Sequence, residues 1–124
     1  MDVLSVTMKE RYPGIFTIAL DGPLDTSTYG TFDYYMERIS KDTTKEIILD
    51  MSKVNYISSM GVGSLFKVRK FAKENQVKFL LAGLQPHVKK VLDTVQALPP
   101  EAVFKDIKEL DDYLLSIQKK RDEE

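Results

Sequence analysis

Two adjacent hydroxyls, Ser58 and Ser59, stand between the apolar run Ile47-Ile48-Leu49 and the glycines Gly61 and Gly63. Beyond them the apolar spacing becomes Leu65, Phe66, Val68 and Ala72, which is helical. Strand, loop, hydroxyls, helix is the order that places side chains in the crevice at the carboxyl end of a strand, where open α/β sheets carry their chemistry. A serine at a helix N-terminus is suited to carry phosphate, because the free N–H groups and the positive end of the helix dipole stabilise an anion. Such a phosphate adds roughly −1.5 to −2 charge at pH 7 and would spoil the fit of a partner packed over the loop. The same serines can also do no more than cap the helix.

Other chemistries are weaker. Asp21, Asp25 and Asp50 each follow an apolar run, and their convergence would suit a small phosphoryl-transfer or hydrolytic enzyme. That chemistry needs an acidic pair after the first strand and a lysine after a late one, where this chain has Gly83-Leu84-Gln85. The expectation is instead that Asp25 (or Thr26) caps the first helix and Asp50 orders a polar turn over residues 50–53. Gly61 and Gly63 lack the third glycine and the following lysine of a phosphate-binding loop. The one histidine, His87, cannot build a two-histidine metal site, and nothing ties it to a serine. The absence of cysteine removes thiolate catalysis, disulfides and cysteine metal sites. No catalytic residue, metal or cofactor is therefore assigned, and a non-enzymatic protein is expected.

Eighteen Lys and Arg against nineteen Asp and Glu leave a net charge of −1, which favours neither nucleic acid nor a membrane surface. No apolar run approaches the roughly 20 residues of a membrane span. The first residues, MDVLSVTMKE, do not read as a basic then apolar leader, so a cytoplasmic location is expected.

With 124 residues the chain suffices for one core and not two, so one domain is expected over 1–118, followed by a charged tail, 119–124. Tyr12-Pro13-Gly14 joins two apolar segments as an edge hairpin, since proline presets the first central turn position and glycine accepts the second. Tyr29, Phe32, Met36 and Ile39 predict a first helix, with Tyr34 and Tyr35 off its buried stripe. The run 47–49 predicts a strand buried on both faces, and the serines open a second helix reaching about Asn75. Val77 to Ala82 predicts another strand, stopped by Gly83. A helix then carries Val88, Val91, Leu92 and Val95, with Pro86 near its start and Leu98-Pro99-Pro100 ending it. Ala102 to Phe104 could form a short last strand before a terminal helix on Ile107, Leu110, Tyr113, Leu114 and Ile117. The order β-β-α-β-α-β-α-β-α implies an α/β domain with a mixed, mainly parallel sheet of four to five strands and four helices.

Ile48-Leu49-Asp50-Met51-Ser52, Val54, Tyr56, Ile57 and Ser58-Ser59-Met60-Gly61-Val62-Gly63 together resemble the STAS domain, in particular the bacterial anti-sigma factor antagonists. In that family the strand ending in Leu-Asp leads to Asp-Ser-Ser-Gly-Leu-Gly at a helix start. Leu20-Asp21-Gly22-Pro23-Leu24-Asp25 resembles the family's Gly-Glu-Leu-Asp turn. The resemblance implies a protein that binds an anti-sigma factor, often a serine kinase using ATP and Mg²⁺, and thereby frees a sigma factor. Phosphorylation of the serine loop would break that complex and a phosphatase would reset it.

Aligned without gaps, the family's phosphorylated serine falls on Met60, whose thioether cannot accept a phosphoryl group. Either Ser59 or Ser58 takes over, with Ser59 the nearer, or the protein acts as an unphosphorylated interaction or scaffold module in a signalling or lipid-transport complex. The residues expected at the partner surface are Asp25, Ser58, Ser59, Met60, Gly61 and Val62, joined along the second helix by Lys67 and Phe71. Lys67, Arg69, Lys70 and Lys73 make that helix basic, which would suit an acidic partner.

Overall fold

The computed structural model describes residues 3–39, 41–95 and 103–123. Its elements follow the expected order: β1 (Ser5–Tyr12), β2 (Ile15–Asp21), α1 (Tyr29–Met36), β3 (Glu46–Lys53), α2 (Ser59–Glu74), β4 (Lys78–Ala82), α3 (Pro86–Thr94), β5 (Val103–Phe104) and α4 (Ile107–Glu123). The strands form one sheet in sequence order, with β1 antiparallel at the edge and all later pairings parallel. The hairpin turn is Pro13-Gly14, and Gly14 has φ +82°, as a type II turn requires. The expected proline stop at Leu98-Pro99-Pro100 and Ala102 of the last strand lie outside the described residues.

The sheet is apolar on both faces at its centre. Ile47, Leu49 and Met51 point to one side, where Phe32 of α1, Leu65 and Val68 of α2, and Val88 and Leu92 of α3 complete the main core. Ile48 points to the other side and packs with Ile15, Leu80, Leu110 and Leu114 beneath α4. Ile47, Ile48 and Leu49 are all fully buried, which is why the run is continuous rather than alternating.

Two local expectations are corrected. Residues 50–53 are not a turn: β3 continues to Lys53, with Met51 fully buried and Asp50 and Ser52 on the other face. The Asp50 carboxylate accepts from the Ser52 N–H (3.0 Å) and hydroxyl (2.7 Å), so the local bonding expected of Asp50 occurs, but within a strand. The first helix starts later than expected, with Thr28 at its N-cap in place of Asp25 or Thr26. Asp25 instead closes the turn before it, its main-chain carbonyl accepting from the N–H groups of Thr28 and Tyr29.

At the other end of α2 the chain leaves through Gln76 in the left-handed region (φ 57°), and the Val77 N–H donates to the Ala72 carbonyl (2.8 Å). This six-to-one bond terminates the helix in the manner of a Schellman motif and aims the chain into β4. α4 runs through the charged residues as far as Glu123.

α4 is tied to the sheet by Tyr113, whose hydroxyl donates to the Glu46 carboxylate at 2.9 Å. Burial, then the Glu46 carboxylate itself, push the tyrosine's pKa well above its ordinary value. A raised folded-state pKa gives stability that is complete below the unfolded value of 10.0 and is lost as pH rises beyond it. Tyr113→Phe is therefore expected to lower stability at pH 7 by about 1 kcal/mol. Thermal melts between pH 9 and about 11 check the second half: the wild type should lose stability more steeply over that range than the variant.

Candidate functional site

The serine loop is held by the segment that precedes α1. Leu24 bridges to Ile57 in parallel fashion; its N–H donates to the Tyr56 carbonyl and its carbonyl accepts from the Ser58 N–H, both at 3.0 Å. The Gly22 N–H donates to the Lys53 carbonyl at 3.1 Å. These bonds lay residues 22–25 alongside residues 53–58 and bring the start of α1 next to the start of α2. A Cβ at Gly61 would lie 2.3 Å from the Leu24 carbonyl oxygen, so only glycine lets α2 approach this closely.

The two serines have different places. Ser58 is the N-cap of α2, in extended backbone, and its hydroxyl accepts from the Gly61 N–H at 3.4 Å. It is half-buried and holds the helix start. Ser59 is the first helical residue and is exposed, with no hydrogen bond to its hydroxyl among the described residues. Ser58→Ala should cost about 0.5–1 kcal/mol, the low part of the range for a lost cap because this bond is long. Thermal unfolding checks it, and Ser59→Ala should leave the melting temperature within error of wild type.

Asp25 lies beside this loop, immediately after Leu24. Its carboxylate accepts from the Ser27 hydroxyl (2.8 Å) and N–H (2.9 Å), with the Thr28 hydroxyl oxygen 3.2 Å away. The Ser27 hydroxyl bond above all holds its pKa below the ordinary carboxylate value, so it is a fixed negative charge at neutral pH. Thr28 is buried and closes the turn, accepting from the Asp25 N–H and donating to the Pro23 carbonyl.

Of the other residues expected at a partner surface, Met60 is 42% exposed beside Ser59. Gly61 and Val62 are buried, Gly61 against the Leu24 backbone and Val62 in the main core. They support the loop and offer no surface, because positions three and four after the N-cap turn toward the sheet. Lys67 and Phe71 lie farther along α2, Phe71 about 16 Å from Met60 by helical rise. Lys67 is ion-paired with Asp33 of α1 at 3.0 Å, which also favours its charged form. Phe71 is half-buried and walls a cavity of about 120 Å³ between α1 and α2, together with Met36, Glu37, Ile47 and Val68.

Residues outside that expected set also shape the site. Tyr56 is 54% exposed at the entrance of the loop, between buried Val54 and Ile57, and no periodicity in the sequence marks it. A ring nitrogen of His87, at the start of α3, bonds the Asn55 carbonyl and ties α3 to the loop. The acidic trio does not assemble: Asp50 and Asp25 are each occupied by a serine two residues on, and no group of three or more metal-ligating side chains forms among the described residues.

Against known families, the model of the STAS domain matches residues 7–110. This chain belongs to the STAS domain family. Solved structures with a similar fold include transporter-family proteins and anti-sigma factor antagonists. The murine Solute Carrier 26 family member A9 anion transporter superposes with a TM-score of 0.72 at 17% identity, covering 94% of this chain but 22% of the transporter, so this chain spans about a fifth of that protein's length. A sulfate transporter family protein from Wolinella succinogenes gives 0.71 at 21% identity, covering 90% and 93% of the two chains. The anti-sigma factor antagonist SpoIIAA of Bacillus, in its unphosphorylated form, gives 0.70 at 18% identity, covering 89% and 97%; its phosphorylated form has also been solved and gives 0.70. At these identities the likeness is one of fold. Among the described residues no helix of this STAS domain is long and apolar enough to cross a membrane.

Proposed function

We propose that this STAS domain is an anti-sigma factor antagonist: it binds an anti-sigma factor of the serine-kinase kind, releases a sigma factor, and is switched off by phosphorylation of Ser59. The observation that carries this reading is the division of labour between the serines. Ser58 is committed to the cap, whereas Ser59 offers an exposed hydroxyl at the first position of a sixteen-residue helix whose first turn holds no acidic residue. An anion there is stabilised by the helix dipole, so the modified protein keeps its fold and changes only its outer surface.

The thioether of Met60 at the family's acceptor position favours a second reading, in which the same surface binds a protein constitutively, as an unphosphorylated module of a signalling or transport assembly. Capture from extract of the cells of origin separates the two. The first reading expects recovery of an ATP-binding serine kinase that the unmodified chain retains and that ATP with Mg²⁺ releases. A transporter or scaffold held equally with and without ATP would support the second reading and overturn the first. Neither reading gives the chain a catalytic role.

A further inference from the structure

The chain contains no cysteine and no tryptophan, so its methionine thioethers are the side chains that an oxidant of the peroxide class attacks most readily. Four of the five methionines lie in the described residues, and the fold treats them unequally. Met51 is fully buried, and Met8 and Met36 are half-buried against the main core. Met60 alone of the four is exposed, at 42%. Susceptibility follows exposure, so Met60 is the first of them to react.

Its place makes that reactivity consequential. Met60 is the second helical residue of α2, directly after Ser59. The Ser58 hydroxyl takes the Gly61 N–H, whereas the Ser59 and Met60 N–H groups come too early in the helix to have a partner within it. A sulfoxide there puts partial negative charge on an oxygen near those donors and the positive helix end, and no acidic residue of the first turn opposes it. The Met60 side chain belongs to neither core cluster, so the fold does not depend on its staying apolar. A partner seated over the serine loop does depend on it, because oxidation turns a flexible apolar contact into a polar, chiral one.

We infer that Met60 is a second modification site of the docking surface, a reversible peroxide-sensitive position whose oxidation to the sulfoxide weakens partner binding. One peroxide oxygen passes to sulfur: the S–O bond forms as the O–O bond breaks, the thioether gives up two electrons, and hydrogen peroxide is reduced to water. Reversal takes two electrons and two protons from a dithiol, which becomes a disulfide while the oxygen leaves as water. Without cysteine the chain cannot supply that dithiol, so reduction belongs to a separate methionine sulfoxide reductase. This inference rests on the reading of the serine loop as a docking surface, and it gives Met60 a modification that a thioether can accept.

The test uses the full chain as wild type, Met60→Leu and Met36→Leu. Each is treated with hydrogen peroxide, freed of it, melted, and titrated against the untreated protein that wild type captures from extract of the cells of origin. Binding is read as the ratio of treated to untreated affinity within each variant. Peptide mass spectrometry should find the sulfoxide on Met60 before Met8, Met36 and Met51, with the melting temperature at that stage within error of the untreated chain. Treated wild type and Met36→Leu should bind at least about tenfold more weakly than their untreated forms, treatment should leave the affinity of Met60→Leu where it was, and methionine sulfoxide reductase with its dithiol should restore wild-type binding. Sulfoxide forming first on another of the four, treated wild type binding within about twofold of untreated, or an equal loss in treated Met60→Leu each overturns the inference. If ATP with Mg²⁺ still releases the partner, the proposed function survives that failure. If oxidation weakens binding through Met60 and ATP with Mg²⁺ releases nothing, the Met60 site stands and the phosphate switch falls. Capture of no protein by wild type overturns both.

Discussion

Ser59→Glu is expected to weaken binding of the protein partner at least about a hundredfold, equivalent to about 2.7 kcal/mol, while leaving the domain as stable as wild type or slightly more so. Two separate effects give the opposite signs. Within the domain, a carboxylate at the first position of α2 faces free N–H groups and the positive helix end, worth about 0.3–1 kcal/mol. That turn carries no acidic residue of its own to repel it. Toward a partner, the same carboxylate must be desolvated in a surface that already holds the fixed charge of Asp25, and truncations or mismatches of this kind cost about 2–5 kcal/mol at an interface. Titration of the captured partner and a thermal melt measure the two halves. A variant that loses binding only because it unfolds would show both falling together, contrary to this account.

Gly61→Val is expected to be the most destabilising change near the site, by about 3 kcal/mol, lowering the melting temperature by roughly 10 °C. Its Cβ would fall 2.3 Å from the Leu24 carbonyl oxygen and 3.0 Å from Ile57 Cγ1. That carbonyl cannot retreat freely, because it accepts the Ser58 N–H and belongs to the bridge joining the starts of the two helices. Relieving the clash pushes α2 away from Leu24 and opens the serine loop, so partner binding should fall together with stability. The contrast with Gly63, two residues on, is the informative part: there an alanine has open space and gains helix propensity. Comparing thermal melts of Gly61→Val and Gly63→Ala tests whether the close approach to Leu24 is what α2 requires.

Much of this architecture was legible in the sequence because its signals are local. Pro13-Gly14 fixed the hairpin, the continuous run Ile47-Ile48-Leu49 marked a strand covered on both sides, and Pro86 marked the start of α3. The extension of β3 to Lys53 was not legible, because Asp50 and Ser52 lie on a face that α4 covers only in part and so look like turn residues. The start of α1 was ambiguous for another reason. Asp25, Thr26, Ser27 and Thr28 are all good caps, and the choice of Thr28 depends on a turn closed by Asp25.

The candidate site divides the same way. The serines at the start of α2 followed from the strand, loop and helix order, but their different burial did not. The pairing of Leu24 with Ile57 and of Asp33 with Lys67 joins residues more than thirty apart, and no periodicity reports such contacts. For that reason the groove between α1 and α2 appears only in the folded chain, and Lys67 and Phe71, read from sequence as residues of the partner surface, form its ion-paired rim and its wall.

The most direct measurement is to recover this protein from its own cells, release the peptide containing Ser58 and Ser59, and locate phosphate within it by tandem mass spectrometry. Phosphate on Ser59, increasing when the captured kinase is supplied with ATP and Mg²⁺, is the predicted result. Phosphate on Ser58, or a peptide that stays unmodified in the presence of a kinase that binds the chain, would contradict it.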